Sequence, residues 1–146
     1  MSGLIEDLTR ELAGTFGESI RVKKAAKTPI APEHEEYVRQ ITEAAQNGDV
    51  QAMLVLGNHY IDGAYVSYSP AHAEFWWNEA AKRNNSCAQY NLGLLYLGQL
   101  SYKVKRDYEK AAQWLQCAAN NGMSEAQQVL QEEFKWSNFR NKWVKK

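Results

Sequence analysis

Long apolar runs are missing from this chain, and nothing approaches the ~20 consecutive apolar residues that a membrane-spanning helix needs. The first residues place Glu6 and Asp7 where a secretory leader needs bases, so no export signal is indicated and the expected compartment is the cytosol. Cysteine is scarce. Cys87 and Cys117 stand 30 residues apart without CxxC spacing, and both are expected to be reduced, packed thiols. The histidines are His34, His59 and His72, and none has the spacing of a metal or zinc-protease motif. Phosphate-cradling glycine loops and G-x-S-x-G elbows are absent too. The adjacent acids Glu35-Glu36 and Glu132-Glu133 splay apart on any helix and are read as solvated. Neither catalysis nor a cofactor, a metal or a small-molecule substrate is expected.

Excess charge is lacking as well. Seventeen Lys plus Arg balance seventeen Asp plus Glu, which gives no global pull toward nucleic acid or a membrane surface. The charges are unevenly spread. Residues 28–79 carry eight acids and only Arg39 as a base, whereas residues 135–146 carry five bases and no acid. Lys103, Lys105 and Arg106 beside Tyr102 and Tyr108 superficially resemble a nucleic-acid patch. The acidity of the preceding residues speaks against it, and a protein partner is expected instead.

What the chain does contain is a repeat. Ala52, Leu56, Gly57 and Tyr60 recur as Ala88, Leu92, Gly93 and Tyr96, an offset of 36. Ala73, Trp76, Ala80 and Ala81 recur as Ala111, Trp114, Ala118 and Ala119, an offset of 38. The difference falls between Tyr96 and Ala111, where a longer loop would place it. Ala126, Leu130 and Phe134 begin a partial third copy, and Tyr37, Ala44 and Ala45 precede the first.

Each pattern has helical spacing: i, i+4, i+8 for Ala52, Leu56 and Tyr60, and i, i+3, i+7 for Ala73, Trp76 and Ala80. Asn47-Gly48, Asn84-Asn85 and Asn121-Gly122 sit where helices would end in the left-handed conformation. Asp49, Ser86 and Ser124 follow as expected N-caps, and Ser69-Pro70 sets a cap before a first-turn proline. Glycine inside a helix costs ~1 kcal/mol relative to alanine. Gly57 and Gly93 at matching points therefore predict close helix–helix approach, with Ala80-Ala81 and Ala118-Ala119 as the facing surface. Gln131 takes the glycine position in the third copy, as suits a terminal helix. Short links make neighbouring helices antiparallel.

These residues resemble the Sel-one-like repeat (SLR) family, a branch of the tetratricopeptide-type solenoids. The family pattern A-x3-L-G-x2-Y-x2-G, then K-A-x2-W-x3-A-A-x2-G, is met by Ala52, Leu56, Gly57, Tyr60, Gly63, Ala73, Trp76, Ala80 and Ala81. It is met again by Ala88, Leu92, Gly93, Tyr96, Lys110, Ala111, Trp114, Ala118, Ala119 and Gly122. Two departures are local: Gly98 sits one position early, and the loop over 99–107 is extended. The resemblance implies an all-α fold, a short α-solenoid of antiparallel helix pairs. Residues 1–32 are expected to form an amphipathic helix (Leu4, Ile5, Leu8, Leu12) and a basic linker. That helix either caps the array or contacts a partner. Residues 33–146 form the array, closed by a C-terminal capping helix.

Placed on a tetratricopeptide frame, the first helix of each pair lines a concave surface, the binding surface of such arrays. Gln51, Leu54, Asn58, Ile61 and Asp62 fall there, as do Cys87, Tyr90, Leu94 and Leu97, then Glu125, Gln128 and Glu132. Tyr65, Tyr68 and Tyr102 lie in inter-helix loops, either as local lids or as partner contacts. Trp76, Trp114, Tyr60 and Tyr96 are assigned to packing, and His59, beside Tyr60, is expected to meet solvent. The family implies a non-catalytic protein-binding module. Among its small bacterial members are immunity proteins that hold a cognate toxin inactive, and others act as adaptors in signalling, envelope or secretion pathways.

Overall fold

The computed structural model describes residues 31–138 and 140–146, so the expected amphipathic helix and most of its basic linker lie outside the described residues. Two compact units divide between Ala73 and Glu74. The first holds helices α1 (Pro32–Gln46) and α2 (Val50–Asp62), which pack on each other, and the first turn of α3 (Pro70–Lys82). The second holds the rest of α3, then α4 (Ser86–Leu97), α5 (Tyr108–Asn120) and α6 (Ser124–Glu133). Helix α5 packs on both α4 and α6.

The repeat is written in the backbone bonds of its turns. After the left-handed residues Gly48, Asn84 and Gly122 (φ 96°, 65° and 88°), one N–H reaches back to an alanine carbonyl. The three bonds are Asp49 N to Ala44 O (3.0 Å), Asn85 N to Ala80 O (3.2 Å) and Met123 N to Ala118 O (3.1 Å). The longer loops agree as well: Ser69 N donates to Tyr60 O at 2.8 Å, and Asp107 N to Tyr96 O at 3.0 Å. The extra residues of the second loop thus fall between contacts that match those of the first.

These turns correct two of the expected caps. Asp49 does cap α2, accepting from Ala52 N, but Asn85 rather than Ser86 caps α4, accepting from Ala88 N. Met123, not Ser124, holds the N-cap of α6, which therefore has no side-chain cap bond. The cap must be the residue directly after the left-handed one, and the serines come one position late.

The stripes are buried as expected. Leu56, Leu92, Leu95, Leu115 and Leu130 are fully enclosed, with Trp77 and Phe134 the largest such side chains. The expected facing surface for Gly93 needs correction. A β-carbon there would meet Leu115 Cγ and Cδ2 at 2.6 and 2.7 Å and Ala111 O at 3.5 Å, so α5 approaches through Ala111 and Leu115, not Ala118-Ala119. Trp76 is buried, whereas Trp114 is only half-buried. Both cysteines are free and exposed rather than packed, because neither falls on its helix's buried stripe.

The C-terminal end departs most from expectation. Helix α6 stops at Glu133, and Phe134–Ser137 (β1) pairs antiparallel with Lys142–Lys145 (β2). Phe134, read as the third core position of a helix, is buried at the first residue of β1 instead. Strand β2 packs on α5, where Trp143 Nε1 donates to Gln116 Oε1 at 2.7 Å. Trp136 and Trp143 are register partners and meet edge to face. The helical repeat fold stands, with this small hairpin added after its last helix.

Candidate functional site: the repeat faces

Each first helix of a pair turns one stripe inward and leaves another exposed or half-buried. On α2, Gln51 and Asp62 are exposed and Leu54, Asn58 and Ile61 half-buried. On α4, Cys87 is exposed and Tyr90 and Leu94 are half-buried, but Leu97 is buried. Leu97 must therefore leave the expected surface: its place just before the left-handed Gly98 (φ 82°) turns it into the core. On α6, Glu125, Gln128 and Glu132 are all exposed, and Gln128 Nε2 donates to Glu132 Oε1 at 2.8 Å. The α6 stripe is wholly polar, whereas α4 offers an aromatic and an aliphatic side chain one turn apart, the mixture that recognition surfaces favour.

Beside this stripe lies a polar clasp that no repeat match announces. Gln89 is buried, and its Nε2 donates to Ala81 O (3.2 Å) and Asn84 Oδ1 (3.4 Å). Asn121 Nδ2 donates to Gln89 Oε1 (2.9 Å) and Asn84 Oδ1 (2.8 Å), tying the α5–α6 turn to the α3–α4 turn. The residue 36 positions before Gln89 is the buried, apolar Met53. Tyr96 shows a related polar anchor. Its hydroxyl donates to Glu74, and burial together with that carboxylate pushes its pKa well above the ordinary phenol value.

The loop tyrosines differ from one another. Tyr102 is almost free at 89% exposure, and Tyr68 is partly exposed. Tyr65 lies over α1 and α2, its ring centroid 4.9 Å from His34, 5.2 Å from Tyr37 and 4.9 Å from His59. His59 is thus not the solvent-facing side chain expected. It is half-buried, with Nε2 2.8 Å from the Tyr37 hydroxyl, and that burial lowers its pKa while the charge of Asp62 opposes the shift. Sequence reading missed this four-ring group because Tyr37 and His59 were judged only against their own stripes.

His72 is enclosed. Its ring stacks on Tyr60 at 4.6 Å, Nδ1 sits 2.6 Å from Ser69 Oγ, and Nε2 has no hydrogen-bond partner. Burial pushes its pKa down to about 4 and that of Tyr60 up to about 12. Among the described residues, no group of three or more His, Cys, Asp or Glu side chains is arranged to hold a metal ion. Nor is any described helix long and apolar enough to cross a membrane.

Paired helices, repeated turns and partly exposed first-helix stripes define an all-α repeat protein of the solenoid class. Residues 50–85 and 88–123 each match the Sel1 repeat, and these spans coincide with α2–α3 and α4–α5. The chain belongs to the Sel1-like repeat family. It is 31% identical over 94 residues to a sel1-like repeat-containing protein of Acanthamoeba polyphaga mimivirus, covering 64% of this chain and 16% of that one. A protective antigen of uropathogenic Escherichia coli with an SLR fold superposes with a TM-score of 0.59 at 31% identity, covering 65% of this chain and 21% of the antigen. A Sel1 repeat protein from Oxalobacter formigenes gives 0.55 at 36% identity, covering 64% and 26%. The chain thus spans about a quarter or less of the length of these relatives. Sel1 repeats are a non-catalytic scaffold type that mediates protein–protein interaction.

Proposed function

We propose that this chain is a stoichiometric protein binder acting in the cytosol, in the manner of an inhibitor or immunity protein that holds a toxin or effector inactive. The observation that carries this reading is the α4 stripe. Tyr90 and Leu94 stand half-buried and off the packed Ala88–Leu92–Tyr96 stripe, so they can bury against a partner without being needed by the fold. Tyrosines near the centre of an interface are frequent hot spots. Gln128 and Glu132 on α6 are the flanking contacts of the proposal within the second unit, and Gln51, Leu54, Asn58 and Asp62 are the corresponding stripe on α2 of the first. The exposed Tyr102, in the loop that follows α4, would add area at its edge.

Affinity capture of the partner followed by calorimetry tests it. Tyr90→Ala should weaken binding by ~2 kcal/mol or more, the hot-spot scale, with the helical signal unchanged. Co-expression then separates the two roles. Relief of a partner's toxicity supports inhibition, and binding without relief supports an adaptor of a signalling, envelope or secretion pathway. Unaltered affinity in Tyr90→Ala would remove α4 from the interface.

A further inference from the structure

The four-ring group of the first unit is displayed more than a lid requires. Tyr37 and Tyr65 keep 38% and 42% of their surface exposed, although their rings lie 5.2 Å apart and share His59 as a neighbour. Tyr65 is held there at φ 64°, a left-handed conformation that residues with a β-carbon rarely adopt. The ring contacts with His34, Tyr37 and His59 fix that loop in place.

Among the described residues, the charges beside His34 and His59 are acidic. Glu33 and Glu35 flank His34 in the first turn of α1, and Asp62 acts electrostatically on His59. Among the described residues, none of these three carboxylates joins an ion pair, while Arg39 is held by Glu36 at 2.7 Å and Glu43 at 3.4 Å. Acids in a first helical turn also suit the helix dipole, but that role leaves their outer oxygens free. Arg39 is the only Lys or Arg among residues 31–73, so among the described residues of this unit no other cation competes for the patch. Burial lowers the His59 pKa below the ordinary imidazole value, which disfavours a positive charge beside the ring faces.

We propose that His34, Tyr37, His59 and Tyr65, rimmed by Glu33, Glu35 and Asp62, dock a basic segment of a partner protein, with an arginine side chain laid on the exposed tyrosine faces. Aromatic faces attract cations through their quadrupole. The planar guanidinium both stacks and keeps its in-plane N–H groups for carboxylates, which an ammonium cannot do. The proposal rests on the chain being a protein-binding module and names the partner chemistry of one of its surfaces.

The probe is an acetylated, amidated peptide of alternating glycine and arginine, titrated calorimetrically into the full chain beside the same peptide with citrulline for arginine. The arginine peptide should bind at least about tenfold more tightly than its uncharged isostere. Tyr37→Leu with Tyr65→Leu keeps apolar bulk but removes the ring faces, and should weaken binding by about fivefold or more. Glu33→Gln with Glu35→Gln should weaken it too and flatten its dependence on salt. Melting curves on each variant establish that it is folded, and Tyr65→Phe should restore binding that Tyr65→Leu has lost. Wild-type affinity in the double leucine variant would overturn the proposal in favour of diffuse charge attraction. Two other occupants are also separable. Much tighter peptide binding after Arg21→Gln, Lys23→Gln, Lys24→Gln and Lys27→Gln together would show the chain's own basic segment on the patch. Self-association in sedimentation that Tyr65→Leu abolishes would show a second copy there. Either result overturns the proposal. If the captured partner loses affinity with Tyr90→Ala but not with the leucine pair, the binding function stands and this surface assignment falls.

Discussion

Replacing Gly93 by alanine sets two effects against each other, and the structure decides which one wins. Alanine is the better helix former by ~1 kcal/mol, so in an open helix Gly93→Ala would stabilise. Here the new methyl would lie 2.6 and 2.7 Å from Leu115 Cγ and Cδ2, about 1 Å inside the ~3.5–4.0 Å optimum for carbon pairs. Cγ is the branch point of a fully buried leucine, so it can recede only if its neighbours or the α5 backbone move. Overpacking of this kind costs ~1–3 kcal/mol. We expect a net loss of about 1–2 kcal/mol, which lowers the melting temperature by roughly 3–6 °C for a chain of this size. Urea titration of four proteins gives the clean reading. Leu115→Ala alone should cost ~2–5 kcal/mol for the lost burial and the cavity left behind. In that background the obstructing Cγ and Cδ2 are gone, so adding Gly93→Ala should be neutral or gain up to ~1 kcal/mol. The interaction energy of the cycle should then reach ~2 kcal/mol, within the range for side chains in contact. The same effect of Gly93→Ala in both backgrounds would refute the close approach as the reason for glycine.

Three further outcomes follow from other sites. His72 has a folded pKa of about 4 against an ordinary 6.5, so the unfolded chain takes up the proton first. Its contribution is complete above pH ~6.5 and is lost progressively as pH falls toward ~4, by at most ~3 kcal/mol at ~1.4 kcal/mol per unit. His72→Phe, which can keep the ring stacked on Tyr60, should flatten stability over that window, and an unchanged slope would assign it to another group. Gln89→Met transplants the residue of the preceding repeat into the clasp with little change in volume. It should cost ~1–2 kcal/mol in denaturant midpoint through the lost hydrogen bonds, and no loss would make the clasp incidental. Tyr90→Ala should leave the melting temperature within about 2 °C of the parent, since surface substitutions usually stay within ~0.5 kcal/mol. A large drop would return Tyr90 to the core.

Most of the helical fold was legible because helix packing imposes a period that survives in residue identity. Ala88, Leu92 and Ala126 must be small or aliphatic to sit at 0% exposure, and they recur accordingly. The left-handed turns were legible for a similar reason, since only glycine and asparagine take that backbone cheaply. Caps were read one residue late in two of three turns because serine is a good cap in general. The repeat offset itself assigns the cap: five residues after Ala44, Ala80 and Ala118 stand Asp49, Asn85 and Met123. The hairpin was hidden for a different reason. Phe134 satisfies both an i+8 helical step from Ala126 and the buried end of a strand, and a four-residue strand carries too few residues for period two to outweigh that. The surviving signal lies beyond it, in the matched Lys-Trp pairs at 135–136 and 142–143 around an asparagine-bearing turn.

The surfaces were harder to read than the core, and for a physical reason. A buried position is constrained by every neighbour, so its residue type reports its surroundings. An exposed position is constrained only by whatever touches it, and that can come from a distant part of the chain. The outer stripes of α2, α4 and α6 could be found because they follow by subtraction from the buried ones, and Leu97 failed only where the helix ends and subtraction stops working. The four-ring group could not be found this way. Its members come from α1, α2 and a loop, and Tyr65 reaches them through a backbone angle that its own identity disfavours. Gln89 likewise answers to Asn84 and Asn121 rather than to its repeat position. In a repeat protein, then, residues that match the period describe the scaffold. The residues that break it, Gln89 against Met53 and Tyr65 against its own backbone, answer instead to contacts made elsewhere in the chain.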